Sequence, residues 1–409
     1  MRSVDGLAEV SCTASGAVGE SHAPAHLPAL DGLRGVAILL VLAVHLLQVD
    51  GPVTIAGRVF RNVFSAGWVG VDLFFVLSGF LITGILVSTL GRPHYFRRFY
   101  VRRTLRIFPL YYATLAMMFF ILPFFIHLKP EASTELRRTE PWFWLYATNL
   151  LCLVSPHNNS LPTGTGHFWS LAVEEQFYLV WPLFIWMTGE RRALQGCVAL
   201  FAGAAVFRAT LLAGDVGPYV IYTVTPARVD ALAAGAAVAI LMRSSKGVER
   251  LMKIRRVLFP AALILLVVTV AMAGLQLGYL VPAVQLVGYS SLAIFFASVL
   301  FGVIRPVSRF EHLVGRTLKR PTLRFFGKFS YAMYVFHYPV RELLRFVGVH
   351  SDAPPTWLPV DWMWTLLVAA LATMITVILA LISWYAFERH FLRLKDILDP
   401  SRVMKVPFV

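Results

Sequence analysis

A histidine and an arginine in the first long apolar stretch have the residue types and spacing for acid–base chemistry beside an anionic group. Arg34 and His45 are eleven positions apart, which on an α-helix puts them about 20° from the same face and roughly 16 Å apart along the axis. An imidazole can take a proton from a hydroxyl near neutral pH. The alternative is that His45 only hydrogen-bonds a neighbouring helix. Its alignment with Arg34 favours a catalytic base near the membrane midplane, reached by a cavity that opens at Arg34.

A pair of arginines directly precedes the third apolar stretch. Arg103 and Arg106 are one helical turn apart, so their guanidinium groups share a face and can grip a polyphosphate. An ordinary basic anchor that contacts anionic lipid is the alternative. The position of the pair beside Arg34 favours a ligand.

Three carboxylates lie inside apolar stretches. Asp72 is near the outer end of the second and could orient an imidazole, pair with an arginine or reach the membrane surface. Glu174 and Glu175 are adjacent in the fourth, and because neighbouring helical residues point about 100° apart, we expect at most one to face the same cavity as His45. Either could be an acid, an arginine partner or a ligand of an acceptor hydroxyl.

Two later stretches carry further ionisable groups. Arg228 and Asp230 open one of them, and an intramembrane ion pair is one explanation of this arginine. His337 lies in another and could be a second polar group lining the site.

The composition is that of a membrane protein. Of the 409 residues 58% are hydrophobic and 14% charged, and the mean hydropathy is +0.69, well outside the range of soluble domains. In lipid, helices satisfy their own backbone, so we predict an all-α polytopic integral membrane protein with about ten transmembrane helices. The predicted spans are 33–49, 67–90, 107–126, 168–188, 193–213, 219–242, 257–274, 280–304, 329–347 and 362–387.

The distribution of charge indicates topology. The net charge of +15 comes from short Lys and Arg clusters between apolar stretches, which argues against a nucleic-acid partner. Clusters at 92–106, 243–256, 305–328 and 389–405 hold six, six, seven and five basic residues, and ten spans with both termini cytoplasmic place all four on one side of a plasma (inner) membrane. A short apolar piece at 141–154 then has to be re-entrant or interfacial.

The ends of the chain and the cysteines complete the prediction. We expect a disordered cytoplasmic N-terminal tail over 1–27, a transmembrane domain over 28–391 and a cytoplasmic C-terminal tail over 392–409. The three cysteines are scattered, so they indicate neither a disulfide framework nor a metal site.

Five segments in this order resemble the acyltransferase-3 family. They are DGLRG at 31–35 with His45 in R-x10-H spacing, GVDLFFVLSGF at 70–80, RTLR at 103–106, FWSLAVEEQFY at 168–178 and SYAMYVFH at 330–337. The similarity runs from Leu27 to about Phe391. The ending at 384–391 differs slightly from the usual Glu-Arg-Pro tail.

The resemblance implies a membrane acyltransferase that depends on acyl-CoA and transfers acyl groups other than amino-acyl groups. Such enzymes pass an acyl group, most often acetyl, from cytoplasmic acyl-CoA to hydroxyls of cell-surface glycans, lipids or secreted natural products. The expected process is therefore O-acetylation, such as polysaccharide modification or another change to the cell envelope. The resemblance implies no metal. By the same resemblance, His45 would be the base or acyl relay. The resemblance also implies that the CoA phosphates would be held by Arg34, Arg103 and Arg106. The acceptor side would be lined by Asp72, Glu174 and Glu175.

A transporter of a polar substrate is the alternative function. Buried charges can line a transport path instead of performing covalent chemistry. Inverted halves with matching broken helices would favour this alternative, and the sequence shows no such halves.

Overall fold

The computed structural model describes residues 27–47, 55–125, 130–154, 164–274, 277–350 and 361–398. These residues form helices and no strand. The α-helices are α1 Pro28–Leu46, α2 Ile55–Ser65, α3 Val69–Thr89, α4 Tyr95–Ala116, α5 Leu122–Phe125, α6 Pro130–Trp144, α7 Leu151–Val154, α8 Phe168–Ala213, α9 Pro218–Thr223, α10 Thr225–Leu241, α11 Ser245–Met272, α12 Tyr289–Ile304, α13 Arg309–Leu318, α14 Pro321–Lys328, α15 Ser330–Phe346, α16 Asp361–Ser383 and α17 Arg389–Leu398.

Eight helical runs of the described chain are long and apolar enough to cross a membrane. One of them is α8, whose 46 residues are interrupted by non-helical backbone at Gly189 (φ 71°, ψ 174°). This break separates the predicted spans 168–188 and 193–213. The predicted span 329–347 is α15, which has 17 residues. The predicted polytopic, all-α membrane architecture is therefore confirmed.

The segment 141–154 does not form one helix. Helix α6 ends at Trp144, and α7 has only four residues. Between them Tyr146 adopts a positive φ of 50°, and its ring stacks on that of Tyr111 with centroids 4.1 Å apart. The segment thus folds back against α4.

Short amphipathic helices add to the predicted set. Helices α2, α13 and α14 were not predicted, because none has an apolar stretch long enough to span a bilayer. Helix α13 begins with a capping box in which Ser308 and Glu311 bond each other's backbone N–H groups. At the C-terminus, α17 continues to Leu398, so the predicted tail from 392 begins as helix. The predicted tail regions 1–26 and 399–409 lie outside the described residues.

Close contact between α3 and α10 positions the polar centre of the protein. A Cβ atom on Gly79 would lie 1.9 Å from the Leu232 carbonyl oxygen, and one on Gly235 would lie 1.9 Å from that of Val76. Only glycine permits two helix backbones to approach this closely. The contact brings the first turn of α3 beside the first turns of α10.

Candidate active site

An inner cavity of about 90 Å³ collects five of the seven predicted site residues. Helix α1 contributes Arg34, helix α4 contributes Arg103 and Arg106, and helix α8 contributes Glu174 and Glu175. His45 and Asp72 do not line this cavity. The remaining polar lining consists of Ser78, Ser170, Ser330, Tyr331 and Tyr334.

The three arginines of the inner cavity are not neutralised by direct ion pairs. None of them has a carboxylate oxygen within salt-bridge distance among the described residues. Arg103 lies over the Tyr178 ring, 4.2 Å from its centroid, and its buried Nε has no hydrogen-bond partner. Arg106 is exposed and Arg34 partly buried. A wall of this kind is suited to an anionic ligand.

The two glutamates both border the inner cavity. Glu174 accepts a hydrogen bond from Ser78 Oγ, which in turn accepts one from the Tyr178 hydroxyl at 2.9 Å. Glu175 Oε1 is buried without a partner. We expected at most one of them to share a cavity with His45, and neither does. Both reach the inner cavity because it extends over a broad face of α8, from Ser170 to Glu175.

His45 belongs to a cluster of three histidines. It lies in the last turn of α1. Its Nδ1 is 3.0 Å from the Val41 carbonyl oxygen and 3.1 Å from His337 Nε2. The ring of His167 lies 4.9 Å from that of His337. Helices α1, α8 and α15 therefore meet at this cluster.

The hydrogen-bond partners assign the tautomers of the two central rings. His337 Nδ1 is 2.7 Å from the Tyr334 carbonyl oxygen, and because a carbonyl only accepts, this nitrogen carries the proton. The neutral His337 ring then has a lone pair on Nε2. His45 Nδ1 donates towards the Val41 carbonyl oxygen and this lone pair. Neutral His45 is thus left with an unprotonated Nε2, the form that a general base requires.

The inner cavity does not extend to His45, contrary to our expectation. Ser170 and Tyr334 line this cavity, and their hydroxyl groups are hydrogen-bonded to each other. The Tyr334 hydroxyl also donates to the carbonyl oxygen of His167 in the histidine cluster. Beyond them, His45 lines a separate cavity of about 20 Å³ with Arg341, Arg345 and His350 among its neighbours. Tyr334 belongs to both environments, because its hydroxyl borders the inner cavity and its carbonyl holds His337.

Asp72 forms a buried ion pair. Its Oδ1 is 2.8 Å from Arg228 Nη2, and both side chains are almost fully buried. Asp230 instead binds Arg208 at 2.9 Å and accepts a hydrogen bond from Ser290. Of the alternatives for Asp72, the structure shows the arginine pair, and it links α3 to α10. The partner of Arg228 is Asp72 rather than its near neighbour Asp230.

Several polar residues of the site received no role from the sequence. Ser78, Ser170, Tyr178 and Tyr334 lie within the family-like segments at 70–80, 168–178 and 330–337. His167 immediately precedes the second of them. Their presence in these segments was the signal that the sequence offered for a functional role. Their contacts could not be predicted, because the contacts join residues far apart in the chain.

Comparison with known proteins identifies the family. The model of the acyltransferase-3 family, described as an acyltransferase domain, matches residues 27–384. The chain belongs to this family. Its described part also has the long apolar helices of a multi-pass membrane protein.

Three curated relatives that the chain matches are named as O-acetyltransferases, one of them as putative. The chain is 29% identical to the peptidoglycan O-acetyltransferase OatA of Listeria monocytogenes, over 78% of this chain and 50% of the relative. It is 28% identical to the putative peptidoglycan O-acetyltransferase YrhL of Bacillus subtilis, over 89% and 54%. The O-acetyltransferase OatA of Staphylococcus aureus is 34% identical over 40% of this chain and 25% of its own. The chain spans about half the length of the first two relatives. No solved structure matches it.

Proposed function

We propose that this acyltransferase moves an acyl group, most readily acetyl, from cytoplasmic acyl-CoA to a hydroxyl of a cell-envelope glycan. The observation that carries the proposal is the inner cavity with Arg34, Arg103 and Arg106 on its wall and no described carboxylate within salt-bridge distance of any of them. The CoA part of the donor carries several phosphates, and guanidinium groups recognise phosphate in a forked geometry. In this proposal the phosphates lie at the arginines and the thioester points towards Tyr334.

The acids of the inner cavity support the donor site in this proposal. Ser78 and Tyr178 hold Glu174 in place, and the Tyr178 ring lies beneath Arg103. Glu174 therefore fixes the wall on which Arg103 rests. This location argues for a role beside the donor and not on the acceptor side, where the family resemblance had put both glutamates.

His45 performs the proton transfer in the proposed reaction. The acceptor hydroxyl attacks the thioester carbonyl carbon while its proton passes to His45 Nε2. The new C–O bond forms, the C–S bond breaks, and the thiolate of CoA takes the proton back from the imidazolium. Val41 and His337 accept from Nδ1–H throughout, so they stabilise the ring when it is charged. For the acyl group to reach His45, the contact between Ser170 and Tyr334 has to open.

The acceptor and the membrane orientation belong to the same proposal. The names of two relatives specify peptidoglycan, which supports a cell-wall glycan as acceptor here. The four basic clusters support a multi-pass protein of the plasma (inner) membrane with the arginine cavity open to the cytoplasm. Donor and acceptor would then approach from opposite sides, at the arginines and at His45.

A transfer assay tests the proposed function. The protein is reconstituted in nanodiscs with acetyl-CoA labelled in the acetyl group and with soluble glycan fragments of the cell wall, and the labelled glycan ester is measured by mass spectrometry. We expect label in the ester from the wild type and from His312→Ala, which changes an exposed histidine on α13. Absence of transfer with glycan, lipid and natural-product alcohols alike would contradict the proposal. Flux of an intact solute into vesicles without acyl turnover would favour a transporter.

A further inference from the structure

A third, larger cavity lies away from the histidines and the arginines of the active site. It has a volume of about 360 Å³ and is lined by the second half of α8 and by α10, α11 and α12. It shares no residue with the inner cavity or with the cavity at His45. We call it the lateral groove and define it by Ala202, Ala234, Ala237, Arg250, Leu258 and Ala297 from its lining.

The wall of the lateral groove is mainly apolar, and five of its residues are alanines. Alanines on three helices, including Ala234 and Ala237 one turn apart on α10, leave the space that larger side chains would fill. Apart from Ser298 and two arginines, the lining carries no polar side chain other than the thiol of Cys197. Water would find few hydrogen-bond partners there, whereas a hydrocarbon chain would match the surface.

The outer face of α11, which forms one wall of the groove, is apolar. Val257, Ile264 and Val267 of α11 are exposed, and α11 is one of the helices able to span a membrane. A hydrocarbon chain can therefore enter from the surrounding lipid.

One end of the groove is positively charged. Arg255 is paired with Glu311 of α13, but Arg250 is exposed and forms no ion pair with any residue in the described ranges. Arg250 lies in the second turn of α11, beside the turn that connects α10 to α11. This is the end at which a lipid head group would sit, because the apolar wall extends from there along α10 for about 12 Å.

We propose that the lateral groove binds one acidic phospholipid, with an acyl chain against the alanine wall and its phosphate at Arg250. The apolar length selects an amphiphile, and the uncompensated guanidinium selects a negative head group over a zwitterionic one. This site is independent of the acyl-transfer proposal, since neither its residues nor its ligand takes part in that reaction.

Native mass spectrometry of the intact, delipidated protein tests this site. The protein is titrated with an equimolar mixture of phosphatidylglycerol and phosphatidylcholine, and the first bound lipid is identified. We expect the wild type to prefer phosphatidylglycerol about fivefold, the effect of one basic residue near the membrane surface. Arg250→Ala should abolish the preference, whereas Arg256→Ala, an exposed arginine on the same helix outside the groove, should keep it.

Filling the groove provides a second, independent test. Ala234→Trp should lower the occupancy of both lipids severalfold, and the milder Ala237→Val should lower it in part if the larger change prevents folding. Ala271→Trp, at an exposed position of α11 outside the groove, should not. Equal binding of the two lipids by the wild type, or an unchanged preference in Arg250→Ala, would overturn the proposal. A dimer that Ala234→Trp dissociates would overturn it in favour of a second copy of the chain.

Discussion

His337 Nε2 lies 3.1 Å from His45 Nδ1, and together with the Val41 carbonyl oxygen it keeps the proton of His45 on this nitrogen. The Tyr334 carbonyl oxygen holds the proton of His337 on Nδ1, so Nε2 accepts from His45. The lone pair of His45 is consequently on its other nitrogen. A residue 292 positions away in sequence therefore contributes to holding the proposed base in this tautomer.

Replacing His337 should slow acyl transfer without weakening donor binding. His337→Ala removes an acceptor that stabilises the imidazolium, and a hydrogen bond to a charged group contributes about 1.5–3 kcal/mol, so we expect a loss in kcat of about 10–100-fold. His337→Gln should recover part of it, because its amide oxygen can accept from His45. Transfer rates and CoA affinities of the three proteins check this. Full activity in His337→Ala would show that His337 does not position His45.

Removing an arginine from the inner cavity should weaken binding of CoA. Arg34→Ala and Arg103→Ala each delete a charged donor, and we expect a rise in Kd of about tenfold or more, measured by calorimetry. The rise should shrink in high salt, which screens the phosphate charges. Arg97→Ala, an exposed position of the same helix as Arg103, is the control. Equal affinities of all three variants would place the donor elsewhere.

Removing the Tyr334 ring should join the two cavities. Its side chain lines the inner cavity and contacts His167 and His337 on the other side, so Tyr334→Ala should let water reach the thioester. We expect acetyl-CoA hydrolysis without acceptor to rise relative to transfer, as measured by release of free thiol. Tyr331→Ala removes another ring of the same cavity wall and should not produce this uncoupling. The same low hydrolysis in both variants would argue against a barrier at Tyr334.

The Asp72–Arg228 pair should matter for folding more than for chemistry. Asp72→Asn leaves a buried guanidinium without its carboxylate, which typically costs about 3–5 kcal/mol. Denaturation in detergent should show this loss, and replacing both residues by Leu and Met should restore part of the stability. Glu190→Gln breaks an exposed pair with Arg243 and should cost less than about 1 kcal/mol. A stable Asp72→Asn protein that has lost only transfer would instead give Asp72 a role in the reaction.

The fold could be predicted largely from the sequence, because length and hydropathy determine a membrane-spanning helix. Each predicted span is largely helical. Two of them are the parts of α8 that Gly189 separates, and 219–242 is divided between α9 and α10. Helices α2, α13 and α14 escaped prediction because they are short and amphipathic. The failure of 141–154 to form one helix depends on the packing of Tyr146 against Tyr111, which no local pattern encodes.

The site was predictable only where one helix determines it. The spacing of Arg103 and Arg106 places both on one face of α4. They share a cavity wall with Arg34 because all three arginines lie at the same end of the bundle. The partners of His45 and Asp72 come from distant helices, so the sequence could not select them. The barrier of Ser170 and Tyr334 is likewise a contact between α8 and α15.

The most direct test of the proposed mechanism compares donor binding and acyl transfer in His45→Ala within one preparation. We predict an unchanged affinity for CoA and a fall in the rate of labelled acetyl transfer of about 10²–10⁴-fold, the usual contribution of a general base. Transfer by His45→Ala at the wild-type rate would contradict the account.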